Sequence, residues 1–145
     1  MIDLFDKGNK FLLRVKGYEF PGAQDELDAN WLVVSIDVEH KAGESWRACG
    51  PYLRTNELLG LLRWLRSLKT GVLPSRIAFT EGELAFSYVG DKQLTVILDF
   101  NFHPKGAAYD YSSDREFSLP FNVDNKGLAN LIRSVEETIR EFPER

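Results

Sequence analysis

The sequence predicts an α+β domain: a mostly antiparallel sheet of about six to seven strands with two helices packed on one face, in the order β-β-β-α-β-β-β-β-α. Three observations lead there. Thr55 to Thr70 (TNELLGLLRWLRSLKT) is strongly helical, strand-like alternation lies on both sides of it, and a second helical pattern follows Asp124. In the first helix Leu58, Leu59, Leu61, Leu62, Trp64, Leu65 and Leu68 cover roughly 220° of the circumference, which leaves only Gly60, Arg63, Ser67 and Arg66 for solvent. A helix with so broad an apolar arc has to be wedged between a sheet and a second element, with Trp64 as core. Thr55 is the expected N-cap, Glu57 and the pair Arg66 and Lys69 suit the two ends of the helix dipole, and Gly71 supplies the stop.

The remaining elements follow in chain order. Phe11 to Tyr18 alternates Phe11, Leu13 and Val15 against Leu12, Arg14 and Lys16, which reads as a strand turned by Phe20-Pro21-Gly22. Gly22 to Asn30 (GAQDELDAN) is a polar, acidic connection without periodicity. Trp31 to His40 carries Leu32, Val34, Ile36 and Val38 on one face and Ser35, Asp37 and Glu39 on the other. Glu44 to Leu53 pairs back on it through Lys41-Ala42-Gly43, which sets Val38 opposite Trp46 and Ile36 opposite Ala48. After the helix, Arg76 to Thr80 and Glu83 to Val89 form a hairpin around Glu81-Gly82 that aligns Phe79 with Leu84 and Ile77 with Phe86. Gln93 to Phe102 is the next strand. Keeping Leu84, Phe86 and Tyr88 on the same face as Leu94, Val96 and Leu98 requires an odd loop, and Gly90-Asp91-Lys92 fits. Arg115 to Phe121 is the last strand. Asp124 then N-caps a helix whose Leu128, Leu131, Ile132, Val135, Ile139 and Phe142 occupy only about 100° of arc. Arg133, Glu137, Arg140 and Glu141 are on its far side, so this helix lies at the periphery beside the first.

The chain has 145 residues, 43% of them hydrophobic. That fits a single domain spanning residues 1–145, which needs neither disulfide nor metal to fold. Cys49 is the only cysteine; it sits on a strand, reads as a small packing residue, and favours a reducing compartment. MIDLFDKGNK lacks the basic and apolar regions of a signal peptide, and no apolar run approaches the ~20 residues of a membrane span. The expected location is cytoplasmic. A net charge of -4 argues against nucleic acid and in favour of a basic protein partner.

Catalytic patterns are absent: there is no strand-Ser-helix elbow, Gly-rich phosphate loop, HExxH or Cys/His metal spacing. The expectation is a non-enzymatic chain with no cofactor and no metal. The sharpest polar constellation is Asp99, Asn101 and His103, placed by alternation on one face of a strand end, where they would converge on a cation or substrate. The bland alternative is the wet face of a half-exposed sheet. Three groups qualify as partner contacts: the acidic connection with Asp25, Glu26 and Asp28, the sheet-face carboxylates Asp37 and Glu39, and the long loop His103 to Asp114. Tyr109, Asp110 and Tyr111 give that loop the composition of an interface hot spot.

Several spacings together resemble a known family: Gly17-Tyr18-Glu19-Phe20-Pro21, Asp28-Ala29-Asn30-Trp31-Leu32, Trp46, Pro51-Tyr52-Leu53-Arg54-Thr55, Glu57-Leu58 and Trp64-Leu65, with Phe79-Thr80-Glu81 later. The order is similar to that of the WapI-like family of bacterial proteins. Gly50, where an acidic residue commonly precedes the proline, and Asn56, where an aromatic is common, depart from that pattern. The resemblance implies an immunity protein that binds a cognate toxin domain, in the type member a nuclease, and it transfers no functional residues. It implies a monomer or weak homodimer with a toxin as partner. The competing classes are a ligand-binding or enzymatic domain using Asp99, Asn101 and His103, and a structural homo-oligomer pairing through an exposed edge strand.

Overall fold

The computed structural model describes residues 1–71 and 75–145. Among the described residues, eight strands form two antiparallel four-stranded sheets, not the single sheet expected from the sequence. The first contains β1 (Ile2–Asp6), β2 (Asn9–Tyr18), β3 (Trp31–Glu39) and β4 (Ser45–Arg54) in chain order. The second contains β5 (Ser75–Ala78), β6 (Leu84–Tyr88), β7 (Gln93–Leu98) and β8 (Phe117–Asn122), again in chain order. Between β2 and β3 lies a single helical turn, α1 (Glu26–Ala29); α2 (Thr55–Leu68) separates the sheets and α3 (Asn125–Glu141) follows β8.

The two hairpin registers expected around Gly43 and Gly82 are present. Val38 faces Trp46 and Ile36 faces Ala48, while Ile77 faces Phe86. Leu84, Phe86 and Tyr88 pair with Leu98, Val96 and Leu94 across the odd loop. Gly43 and Gly82 both take positive φ, the conformation that those turns require.

The inner faces of the sheets meet, which explains why one sheet became two. Phe86 marks the junction: its ring lies 6.3 Å from Phe11 of the first sheet, 6.2 Å from Trp64 of α2 and 6.1 Å from Phe79. The two helices pack beside each other, as expected, with Arg66 and Glu136 paired between them at 2.7 Å, but they border two sheets rather than covering one face of a single sheet. The broad arc of α2 is divided among β4, α3 and the second sheet, and Gly60 turns towards Ile77 rather than solvent. Its narrower partner α3 buries Leu128, Leu131, Ile132 and Val135, as the stripe required.

Other expectations change at element ends. β1 was unforeseen; it has only two buried apolar positions, Ile2 and Leu4, too few to stand out as alternation. β7 stops at Leu98 rather than Phe102, because Phe100 takes φ +44° and Phe100–Phe102 form a 3-10 turn. Arg54, not Thr55, is the N-cap of α2. The buried Thr55 instead donates its hydroxyl to Asn30 Oδ1 at 3.0 Å. Cys49 is exposed, since inward-facing Ala48 and Gly50 leave it on the outer face of β4.

Candidate partner-binding surfaces

The outer face of the first sheet carries Asp37 and Glu39, and both are already paired. Lys10 Nζ lies 3.2 Å from Asp37 Oδ1 and 2.9 Å from Glu39 Oε1, and Arg47 Nε lies 2.9 Å from Asp37 Oδ2. Burial pushes the Asp37 carboxyl up, but Lys10 and Arg47 outweigh it and hold the group below its ordinary value. Arg14 and Asp3 continue the pattern. This face is a ladder of alternating charges that neutralises itself.

Asp99, Asn101 and His103 do not converge, because the strand that would align them has ended. Asp99 Oδ1 accepts from the Phe100 amide at 3.0 Å and from Tyr109 Oη at 2.6 Å. Asn101 Nδ2 donates to Glu83 Oε1 at 2.9 Å. The imidazole of His103 is buried, accepts from the Lys105 amide at Nδ1 and packs against Tyr109 and Phe117. Among the described residues, no group of three or more His, Cys, Asp or Glu side chains is arranged to hold a metal ion.

The loop those residues organise is a preformed aromatic knob. Tyr111 stacks on Phe100 with centroids 5.7 Å apart, and Tyr109 meets both rings edge-on. Tyr111 remains 73% exposed, so the stack presents a broad apolar face to solvent. The hydrogen bond to Asp99 pushes the Tyr109 phenol up to about 12. Hydrogen bonds from the Ser112 hydroxyl and amide and the Ser113 hydroxyl lower Asp110 to about 2, so its charge is permanent at neutral pH. The loop is fastened at its base by Trp46 Nε1 donating to Phe102 O at 2.9 Å, and along its length by the Lys105–Asp114 ion pair. A side chain ordered before binding loses little further entropy on contact.

The second surface surrounds α1. Asp25 caps this turn by accepting from the Leu27 amide at 2.7 Å, and Asp25, Glu26 and Asp28 are all exposed. None of the three has an ion-pair partner among the described residues. Beside them Leu27 is 64% and Phe20 44% exposed. Neither apolar residue was foreseen as part of a site. Their signal was available: each is a large apolar side chain isolated in a polar connection, where no core face claims it.

Apolar and aromatic side chains ringed by unpaired carboxylates, with the remaining polar groups bonded internally, have the build of a protein-binding surface. The chain belongs to the WapI-like immunity protein family, whose model matches residues 1–143. Neither the curated proteins nor the solved structures contain a match. Among the described residues, no helix is long and apolar enough to cross a membrane.

Proposed function

We propose that this chain is a non-enzymatic immunity protein that neutralises a cognate toxin domain by covering it. It acts in the cytoplasm as one domain over residues 1–145, binding the toxin as a monomer or weak homodimer. The observation that carries the reading is the family match across residues 1–143. The geometry supports it: two exposed surfaces combine carboxylates with unburied apolar anchors, and the net charge of -4 suits a basic partner such as a nuclease.

In this reading Tyr109, Asp110 and Tyr111 form one contact and Asp25, Glu26 and Asp28, with Leu27 and Phe20, form the other. Long-range attraction between the carboxylates and a basic toxin surface speeds the encounter. Tyr111 and Leu27 then supply desolvated contact area that slows dissociation. Inhibition needs no chemistry, because a nuclease whose basic cleft is covered cannot admit its anionic substrate. Asp37 and Glu39 are left out of this surface, since Lys10 and Arg47 neutralise them. The divergent Asp99, Asn101 and His103 give a ligand site no comparable support.

The test is co-expression with the toxin encoded beside this chain's gene. Cells are expected to survive with the protein and to die with an empty vector. Equal killing in both would overturn the reading for that pair.

A further inference from the structure

Arg145 is held as a ligand would be. Its guanidinium donates four hydrogen bonds to main-chain carbonyls: Nε to Ala29 at 3.1 Å, Nη1 to Pro21 at 2.8 Å, and Nη2 to Phe20 at 3.0 Å and Ala29 at 2.5 Å. Below the guanidinium lies the Tyr18 ring, with Cζ 3.8 Å from its centroid. The peptide unit is recognised as well. Asn30 Oδ1 accepts from the Arg145 amide at 2.9 Å, and Asn30 Nδ2 donates to the main-chain oxygen of Arg145 at 3.0 Å.

This set reads an arginine by its guanidinium and by its main-chain amide and oxygen. Forked carbonyl acceptors with an aromatic floor match the planar guanidinium and leave a lysine ammonium most of its bonds unmade. Asn30 also has partners besides Arg145, accepting from Thr55 Oγ1 and donating to the Glu26 carbonyl. Arg145 has no ion-pair partner among the described residues, and the segment after Glu141 is non-helical, tied down at Tyr18 by Phe142 and the Pro143 carbonyl. The unpaired carboxylates of α1 adjoin the cradle in the chain, and Phe20, whose carbonyl forms part of it, is exposed.

We propose that this cradle is an arginine-recognition site, occupied by Arg145 in the isolated chain and filled by an arginine of a basic protein partner once Arg145 leaves. The partner half of the proposal rests on the immunity reading, whereas the cradle itself does not. A tethered occupant competes at an effective concentration of order millimolar, so removing it strengthens binding of an arginine in trans by roughly tenfold or more.

The test is an NMR titration of the full chain carrying Arg145→Ala with N-acetyl-arginine amide, following the Ala29 amide and the Asn30 side-chain amide. Saturable shifts are expected, at least tenfold weaker with N-acetyl-lysine amide and at least tenfold weaker in the unsubstituted protein. A folded variant with no saturable shift, or one that responds equally to lysine, overturns the site. Arg145→Lys keeps the charge and stem but lacks the fork; it is expected to open the cradle in the same way, and serves if the alanine variant does not fold. For the partner half, Arg145→Ala should bind the toxin several-fold more tightly; unchanged affinity overturns that half and leaves the immunity reading standing.

Discussion

A Cβ added at Gly50 would overlap the Tyr52 ring, which folds back over it and meets Phe102 edge-on at 5.1 Å. No side chain fits at position 50 while Tyr52 keeps this place. Gly50→Ala should cost about 1–3 kcal/mol by displacing the ring. Urea denaturation measures it, and most of the loss should disappear when Tyr52→Ala is the background. Glu83 supports a second prediction. It is 5% exposed, Oε2 has no hydrogen-bond partner, and burial, followed by the charges of Glu81 and Asp99, raises its carboxyl despite the Asn101 bond. A carboxyl raised in the folded state contributes stability that is complete below the unfolded value of about 4.3 and is lost as pH rises through the folded value. Relative to Glu83→Gln, the protein should therefore lose stability between acid and neutral pH, and parallel stability curves would contradict this. The pairing of Asp37 with Arg47 was implicit in the sequence, because the register that sets Val38 opposite Trp46 also sets these two opposite each other. The Lys10 contacts were not. They depend on the β2–β3 register, which a long connection and a bulge between Val15 and Gly17 conceal.

Hairpins were the elements most readable from the sequence, since glycine positions and alternation both constrain loop length. The ends of strands were not. Nothing in Gln93 to Phe102 announces that Phe100 will turn to positive φ, and that single residue converts a supposed ligand-binding strand face into the anchor of the Tyr111 stack. At the start of α2, Glu57 serves two elements: Oε2 accepts from the Arg54 amide at 2.8 Å, and Oε1 accepts from the Thr80 amide at 2.7 Å and hydroxyl at 2.8 Å. Its helix-start role was legible as local spacing, whereas the tie to the β5–β6 hairpin is a long-range contact that no local pattern encodes. Glu57→Ala should cost about 2 kcal/mol, as expected for lost bonds to a charged acceptor. Hydrogen exchange should rise both in the first turn of α2 and at Thr80; a rise confined to the helix would contradict the two-element role.

At the scale of the molecule, α2 was recognised as a buried hub from its apolar arc alone, but the arc could not show that its second neighbour was another sheet. Two amphipathic four-stranded sheets read locally like one longer sheet, and only the packing around Phe86 tells them apart. Among the large apolar side chains that the fold leaves exposed are Tyr111, in its aromatic stack, and Leu27, on the acidic turn; the proposed function places both against a toxin. The most direct test of that claim is a titration of the purified toxin's activity with the purified protein, alongside Tyr111→Ala. Activity should fall to zero at a fixed stoichiometry coincident with complex formation. The substitution should weaken the complex at least tenfold, while, with Tyr111 73% exposed, the lost stacking on Phe100 and Tyr109 should lower stability by no more than about 1.5 kcal/mol. Toxin activity that persists at saturating protein would contradict it.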